Sequence, residues 1–179
     1  MNKKLKLWEL NRVSEEEFKK QEKFPIIVVL DNIRSLSNVG SFFRTSDAFN
    51  IEELVLCGIT AQPPHREIQK TAIGATESVS WSHHENTIEV VKSYKERGYA
   101  ICCIEQTENT MSLEDVNQID SKNVVLVFGN EVNGVDQEVV DLSDFIIEVP
   151  QFGTKHSLNV SVCAGVVLWE FVKKEIKEF

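Results

Sequence analysis

Pro25-Ile26-Ile27-Val28-Val29-Leu30-Asp31 is a short apolar run, rich in β-branched side chains and closed by a carboxylate. A strand with one wet face alternates apolar and polar residues. A run without alternation reads as a strand buried on both faces, the condition of a parallel sheet covered by helices on each side. Comparable runs stand at 53–57, 99–104, 124–128 and 145–149, and Val79-Ser80-Trp81 offers a further short one.

Between these runs the pattern turns helical. Ser14-Glu15-Glu16-Glu17 has capping-box spacing and predicts a helix over 15–22. Residues 39–49 bring Phe42, Phe43 and Phe49 to one side, and Pro63-Pro64 introduces a short helix over 65–71. Residues 86–97 are amphipathic through Ile88, Val91 and Tyr94, with Gly98 as the stop. A last helix is expected over 158–174; its first half is apolar almost all round, which predicts burial in the core or against a partner subunit. Strands alternating with helices give an α/β domain, its mostly parallel sheet flanked by helices on both faces. Residues 1–23 read as a short charged extension and residues 24–179 as the domain.

Composition bounds the function classes. With 179 residues, 42% hydrophobic and 26% charged, the chain can bury a full core without disulfides or metal, which excludes disorder and the stapled mini-protein. No apolar run approaches the roughly 20 residues a membrane span requires. The basic start is interrupted at Glu9 and lacks the apolar core of a secretory signal. Cys57, Cys102, Cys103 and Cys163 have no C-x-x-C spacing and read as free thiols of a cytoplasmic protein. A net charge of −9 argues against generic nucleic-acid binding by the monomer but leaves room for a local basic face.

The common nucleotide motifs are missing. No G-x-G pair occurs, so the dinucleotide fingerprint is absent. Gly129 to Gly134 has phosphate-loop spacing, but Val135-Asp136 stands where Lys-Ser/Thr is required. There is no H-E-x-x-H and no Cys/His ligand pair, so no metal is expected.

Ligands of parallel sheets bind at the carboxyl ends of the strands, which directs attention to the loops after Asp31, Phe128 and Val149. The first loop leads into Asn38-Val39-Gly40-Ser41-Phe42-Phe43-Arg44. On a helix starting at Val39, Arg44 falls in the second turn and can reach back to the loop, where a planar guanidinium suits phosphate or carboxylate. The plainer reading is a surface arginine paired with Asp47. The second, Phe128-Gly129-Asn130-Glu131-Val132-Asn133-Gly134, ends a buried strand in a tight loop. An ordinary turn is its alternative. The third, from Pro150 to Ser161, concentrates polar groups before the most apolar helix, where Ser157 or Asn159 could simply cap it. His156 beside Ser157 invites a nucleophile–base pair, but adjacent residues seldom place those groups correctly and no G-x-S-x-G elbow is present.

Together the three clusters resemble the SpoU (TrmH-like) branch of the SPOUT RNA methyltransferases. The N-x-G-x-x-x-R motif is matched by Asn38, Gly40 and Arg44, the G-x-E-x-x-G motif by Gly129, Glu131 and Gly134, and the V-P…S-L-N-V-S motif by Val149, Pro150 and 157–161, in the family order. The resemblance implies an α/β fold with a C-terminal trefoil knot, a homodimer, and methyl transfer from S-adenosylmethionine to a ribose 2′-hydroxyl. It implies a catalytic set of Asn38, Arg44, Glu131, Ser157 and Asn159, and cofactor contacts from Phe128, Gly129, Asn130, Ile147, Pro150 and Leu158. RNA contacts are expected from Arg34, Arg44, Arg66 and Lys155. A tRNA substrate is favoured because the chain lacks the long extensions of some members; rRNA is the alternative. A non-catalytic RNA-binding module is disfavoured by the presence of Arg44 and the Ser157–Ser161 run.

Overall fold

The apolar run at 25–31 forms strand β1 (Phe24–Asp31), an interior strand, third in order, of a seven-stranded sheet. The computed structural model describes residues 2–10, 12–155, 157–173 and 176; His156, and Lys174 where the last helix was expected to end, lie outside them. The other strands are β2 (Ile51–Cys57), β3 (Trp81–His84), β4 (Ala100–Ile104), β5 (Met111–Ser112), β6 (Val124–Phe128) and β7 (Phe145–Glu148). Their order is β3-β2-β1-β6-β4-β7-β5, and every neighbouring pair is parallel. Val28 sits opposite Leu54 on one side and Leu126 on the other.

Helices cover both faces. They are α1 (Glu15–Lys20), α2 (Leu36–Ala48), α3 (Arg66–Ala72), α4 (Ala75–Ser78), α5 (Thr87–Glu96), α6 (Gln137–Leu142) and α7 (Val160–Val172). Successive strand residues point to opposite faces. Ile26, Val28 and Leu30 therefore join a core with Phe42, Phe43, Ile68 and Val167, under α2, α3 and α7. Ile27 and Val29 join a second core with Val91, Tyr94 and Val139, under α5 and α6. This is why the strand shows no alternation: both of its faces are dry.

Most expected elements are present with shifted ends. Helix α1 carries the capping box, with Ser14 and Glu17 bonded reciprocally. Helix α2 begins three residues earlier than the expected Val39, because Ser35 caps it by accepting the Asn38 N–H. Asn38 thus lies in the first helical turn, not in the loop. Gly40 lies where a Cβ would strike Thr71 and the backbone of Ile68, so its role is the close approach of α2 to α3. The expected strand at 79–81 starts only at Trp81, since 75–78 wind into α4. Helix α6, strand β5 and the 3₁₀ turn Leu113–Gln118 had no counterpart in the sequence reading.

Two features place the functional loops. Asp31, at the end of β1, is 1% exposed. Its carboxylate accepts from Thr87 Oγ1 at 2.6 Å, Asn32 Nδ2 at 2.9 Å and the Asp136 N–H at 2.9 Å, tying α5 and the segment before α6 to the sheet. A buried carboxylate is tolerated only when so bonded. Helices α2 and α7 run side by side in the same direction. Asn38 meets Asn159 and Ser161 at their N-terminal ends, and Phe49 meets Trp169 near their C-terminal ends, ring centroids 6.4 Å apart.

The last helix is only partly the buried rod its composition predicts. Ala164, Val167, Leu168 and Phe171 are buried, while Val162, Val166 and Trp169 are 55%, 42% and 48% exposed. At spacings of four and three, these three form one apolar stripe along its outer face. Among the described residues no helix is long and apolar enough to cross a membrane.

Candidate active site

Strands β4, β6 and β7 end side by side at Ile104, Phe128 and Ile147–Glu148, and a cleft of about 580 Å³ opens just beyond them. Its wall takes residues from the loop after β4, the 129–134 loop, the strand end at 147–149, and the segment 157–160 with Cys163 of α7. Parallel strands point all their carboxyl ends, and hence their connecting loops, to one edge of the sheet, which is why residues so distant in sequence share one cleft.

The three loops are locked by a chain of hydrogen bonds. Glu131 accepts from the N–H groups of Arg34 (3.0 Å) and Ser35 (3.1 Å) and from Asn38 Nδ2 (3.0 Å). Asn38 Oδ1 in turn accepts from Asn159 Nδ2 at 3.2 Å and Ser161 Oγ at 3.4 Å. Asn159 caps α7, accepting from the Ser161 and Val162 N–H groups at 3.0 and 3.3 Å. Asn130 Nδ2 donates to the Asn32 carbonyl at 2.7 Å, and its Oδ1 accepts from the Val132 N–H at 2.8 Å. In this arrangement Glu131, Asn38 and Asn159 hold loops together.

Burial alone would raise the Glu131 carboxyl, but the bonds from Arg34, Asn38 and Ser35 outweigh it and hold the group below the ordinary carboxylate range. A carboxyl lowered by folding stabilises the folded state above its unfolded pKa of about 4.3 and loses that contribution as the pH falls through the lowered value. The expected result is that wild type exceeds Glu131→Gln in stability by about 1–2 kcal/mol at neutral pH. The gap closes as pH drops from about 5 toward 3 in urea titrations. A gap unchanged with pH would show that the clasp does not depend on the charge.

The expected site residues divide into two groups. Phe128, Gly129, Asn130, Glu131, Ile147, Ser157, Leu158 and Asn159 all line the cleft. Pro150 does not: it is exposed, and its neighbours Val149 and Gln151 take the lining positions. Gly129 is required by contact, since a Cβ there would collide with the backbone of Gly134 and Val135.

Arg44 does not reach back to its own loop. The early start of α2 puts it in the third turn, exposed on the face shared with Ser37, and no described residue forms an ion pair with it, Asp47 included. Asp47 instead accepts from Ser78 Oγ at 2.5 Å. Arg34, Arg66 and Lys155 are likewise exposed and outside the cleft wall. His156 lies outside the described residues.

The loop after β4, outside the three motif clusters, also belongs to the cleft. Glu105 lines the cleft and accepts from the Val135 N–H at 3.0 Å and the Gln106 N–H at 2.8 Å. Glu148 also lines it, accepting from Gln106 Nε2 and Thr110 Oγ1, both at 3.1 Å. The strand-end rule applied to 99–104, which Glu105-Gln106-Thr107 follows, would have found this loop. Cys163 faces the cleft, and burial pushes its thiol up to about 11.

Known proteins resemble this chain in sequence and fold. A profile of the SpoU rRNA Methylase family matches residues 25–169. A tRNA (guanosine(18)-2′-O)-methyltransferase of Aquifex aeolicus is 32% identical over 81% of this chain and 67% of its own length. The crystal structure of the A. aeolicus TrmH/SpoU tRNA modifying enzyme superposes with a TM-score of 0.79 at 26% identity, over 90% of this chain and 82% of that one. The SpoU methyltransferase AviRb of Streptomyces viridochromogenes, solved with AdoMet, shares the fold with a TM-score of 0.78 at 21% identity, over 90% of this chain and 65% of that one. With its second and third motifs walling one cleft, Asn38 of the first bonded to both, and the profile matched along most of its length, the chain belongs to the SpoU methylase family.

Proposed function

We infer that this chain is an RNA methyltransferase that moves a methyl group from S-adenosylmethionine to a ribose 2′-hydroxyl of tRNA, and that it works as a homodimer. One observation carries the reading: the cleft is walled by the loops of the second and third motifs and clamped through Asn38 of the first, with no lysine or arginine among its described lining residues. Its volume suits a small-molecule site. Ile104, Phe128, Ile147 and Leu158 give apolar surface for a purine, and the carboxylates of Glu105, Glu131 and Glu148 make a field that favours a cation. Both properties fit S-adenosylmethionine, which when bound supplies an electrophilic methyl group on a positive sulfur.

The chain's own part is positioning and electrostatics. In-line displacement demands alignment of the attacking oxygen, and the clasp of Glu131, Asn38 and Asn159 holds the loops that would set it. The 2′-hydroxyl attacks well only as its proton leaves. The Arg44 guanidinium stabilises the developing alkoxide and grips a target phosphate, while a phosphate oxygen or water takes the proton. Since Arg44 is exposed on α2 outside its own cleft, this reading has it serve the partner's cleft. The apolar stripe of Val162, Val166 and Trp169 on the adjoining α7 is the seam that would bring the two subunits together. Ser157 stands beside Asn159 at the cleft wall for the incoming ribose. Arg34, Arg66 and Lys155 add exposed cations for RNA phosphates.

A C-terminal trefoil knot, the division at residue 23, and a cytoplasmic setting with reduced thiols belong to the same reading. A tRNA target is favoured by the Aquifex relatives, both described as acting on tRNA.

The test is transfer of labelled methyl from S-adenosylmethionine to unmodified tRNA and rRNA transcripts, followed by nuclease mapping. Label in tRNA resistant to 2′-hydroxyl-dependent cleavage is expected. Label in rRNA alone moves the substrate, and label on a base overturns the ribose assignment.

A further inference from the structure

Phe152 is 97% exposed, the most exposed of the large apolar side chains described. It lies in the loop 150–155 between β7 and α7, directly after the cleft-lining Gln151 and five residues before the cleft-lining Ser157. The adjacent Gly153 has open space around its Cβ position, so the loop stands clear of the body. Lys155, three residues on, is exposed as well. On a second rim loop Val132 is 70% exposed.

An aromatic ring left wholly in water contributes nothing to the core, and its exposure is unfavourable by the usual apolar transfer term. Its position on a cleft rim with a lysine nearby matches the chemistry used for unpaired nucleotides: an aromatic face for the base and a cation for the phosphate. The cleft itself carries Glu105, Glu131 and Glu148, which repel a phosphodiester. RNA held at this site must therefore be gripped at the rim, by groups such as these.

We propose that Phe152 is a recognition residue that stacks on an unpaired base at or next to the methylated ribose, with Lys155 on the neighbouring phosphate. The inference rests on the RNA methyltransferase reading above. It explains why the loop presents an unpacked ring beside the cleft, and it makes a single-stranded or flipped nucleotide the form of substrate that enters. Stacking is tolerant of base identity, so Phe152 fixes the position of a nucleotide and leaves base choice to other groups.

The experiment compares wild type with Phe152→Ala, Phe152→Leu and Phe152→Trp, using whichever transcript pool, tRNA or rRNA, wild type methylates. Because the ring packs against nothing, all variants are expected to fold and to bind S-adenosylmethionine as wild type does. Alanine and leucine should raise KM for RNA about tenfold or more, and tryptophan should restore it. The penalty should shrink on RNA with an abasic site at the target nucleotide or its neighbour. Equal KM for all variants overturns the stacking role and leaves the methyltransferase reading intact. Loss of the dimer in Phe152→Ala, seen by sedimentation, overturns it in favour of a contact with a second copy. Wild-type transfer to neither pool, despite cofactor binding, overturns the RNA reading and this inference with it.

Discussion

Replacing Arg44 with alanine is expected to lower kcat for methyl transfer by about 10²–10³-fold, the usual loss when one preorganised group facing developing charge is removed. Its affinity for S-adenosylmethionine and its melting temperature should match wild type, because Arg44 is exposed, outside the cleft wall and without an ion-pair partner among the described residues. Arg44→Lys keeps the charge but not the planar fork and should fall between the two. Single-turnover rates, isothermal titration and thermal unfolding separate these terms. A fall in cofactor affinity equal to the fall in rate would make Arg44 a part of the cofactor site instead.

Replacing Gly129 with alanine should have the opposite signature. The added Cβ meets backbone atoms of Gly134 and Val135, which cannot move without opening the 129–134 loop. That loop is closed by paired N–H···O bonds between Asn130 and Gly134, both 2.9 Å, and by the Val135 N–H on Glu105. Overpacking of this kind costs about 1–3 kcal/mol, so S-adenosylmethionine should bind about 10- to 100-fold more weakly. RNA affinity should be nearly unchanged. Unaltered cofactor binding in Gly129→Ala would place the cofactor elsewhere.

The two variants together report on the subunit arrangement. If Arg44 serves the partner's cleft, a mixed dimer of Arg44→Ala and Gly129→Ala has one complete site, and a co-refolded one-to-one mixture, assayed with S-adenosylmethionine near the wild-type Kd so that Gly129→Ala clefts stay almost empty, recovers about a quarter of wild-type activity. If Arg44 serves its own cleft, no subunit in the mixture is complete and no activity returns. The apolar stripe of α7 makes the first outcome the expected one.

Much of this was legible in the sequence because short-range physics decides it. The unbroken runs at 25–31 and 124–128 had to be strands with two dry faces, and their alternate residues do enter separate cores. Ser14 and Glu17 made their capping box, a contact across three residues that needs no tertiary support. The motif residues at the strand ends could be placed at one edge, because parallel strands send their ends the same way.

What was not legible turned on contacts between distant segments. Helix α2 starts at Leu36 with Ser35 as its cap, and Glu131, about a hundred residues away, holds that cap in place by accepting the Arg34 and Ser35 N–H groups; this early start carries Arg44 out of its own cleft. The loop bearing Glu105 follows a strand legible in the sequence, but it walls the same cleft as the 129–134 loop only because β4 lies between β6 and β7, an order that no local pattern records. The outer face of α7 is half exposed because α2 and the sheet cover only its other sides, although its sequence is apolar nearly all round. By itself the sequence determined the buried strands, the helices with clear caps or periodicity, and the loops of the second and third motifs as the functional edge, since burial periodicity and capping act within a few residues. The tertiary structure alone decided which of those residues clasp the loops, which line the cleft and which face outward, because a hydrogen-bonding side chain finds its partner only once the sheet order has brought the loops together.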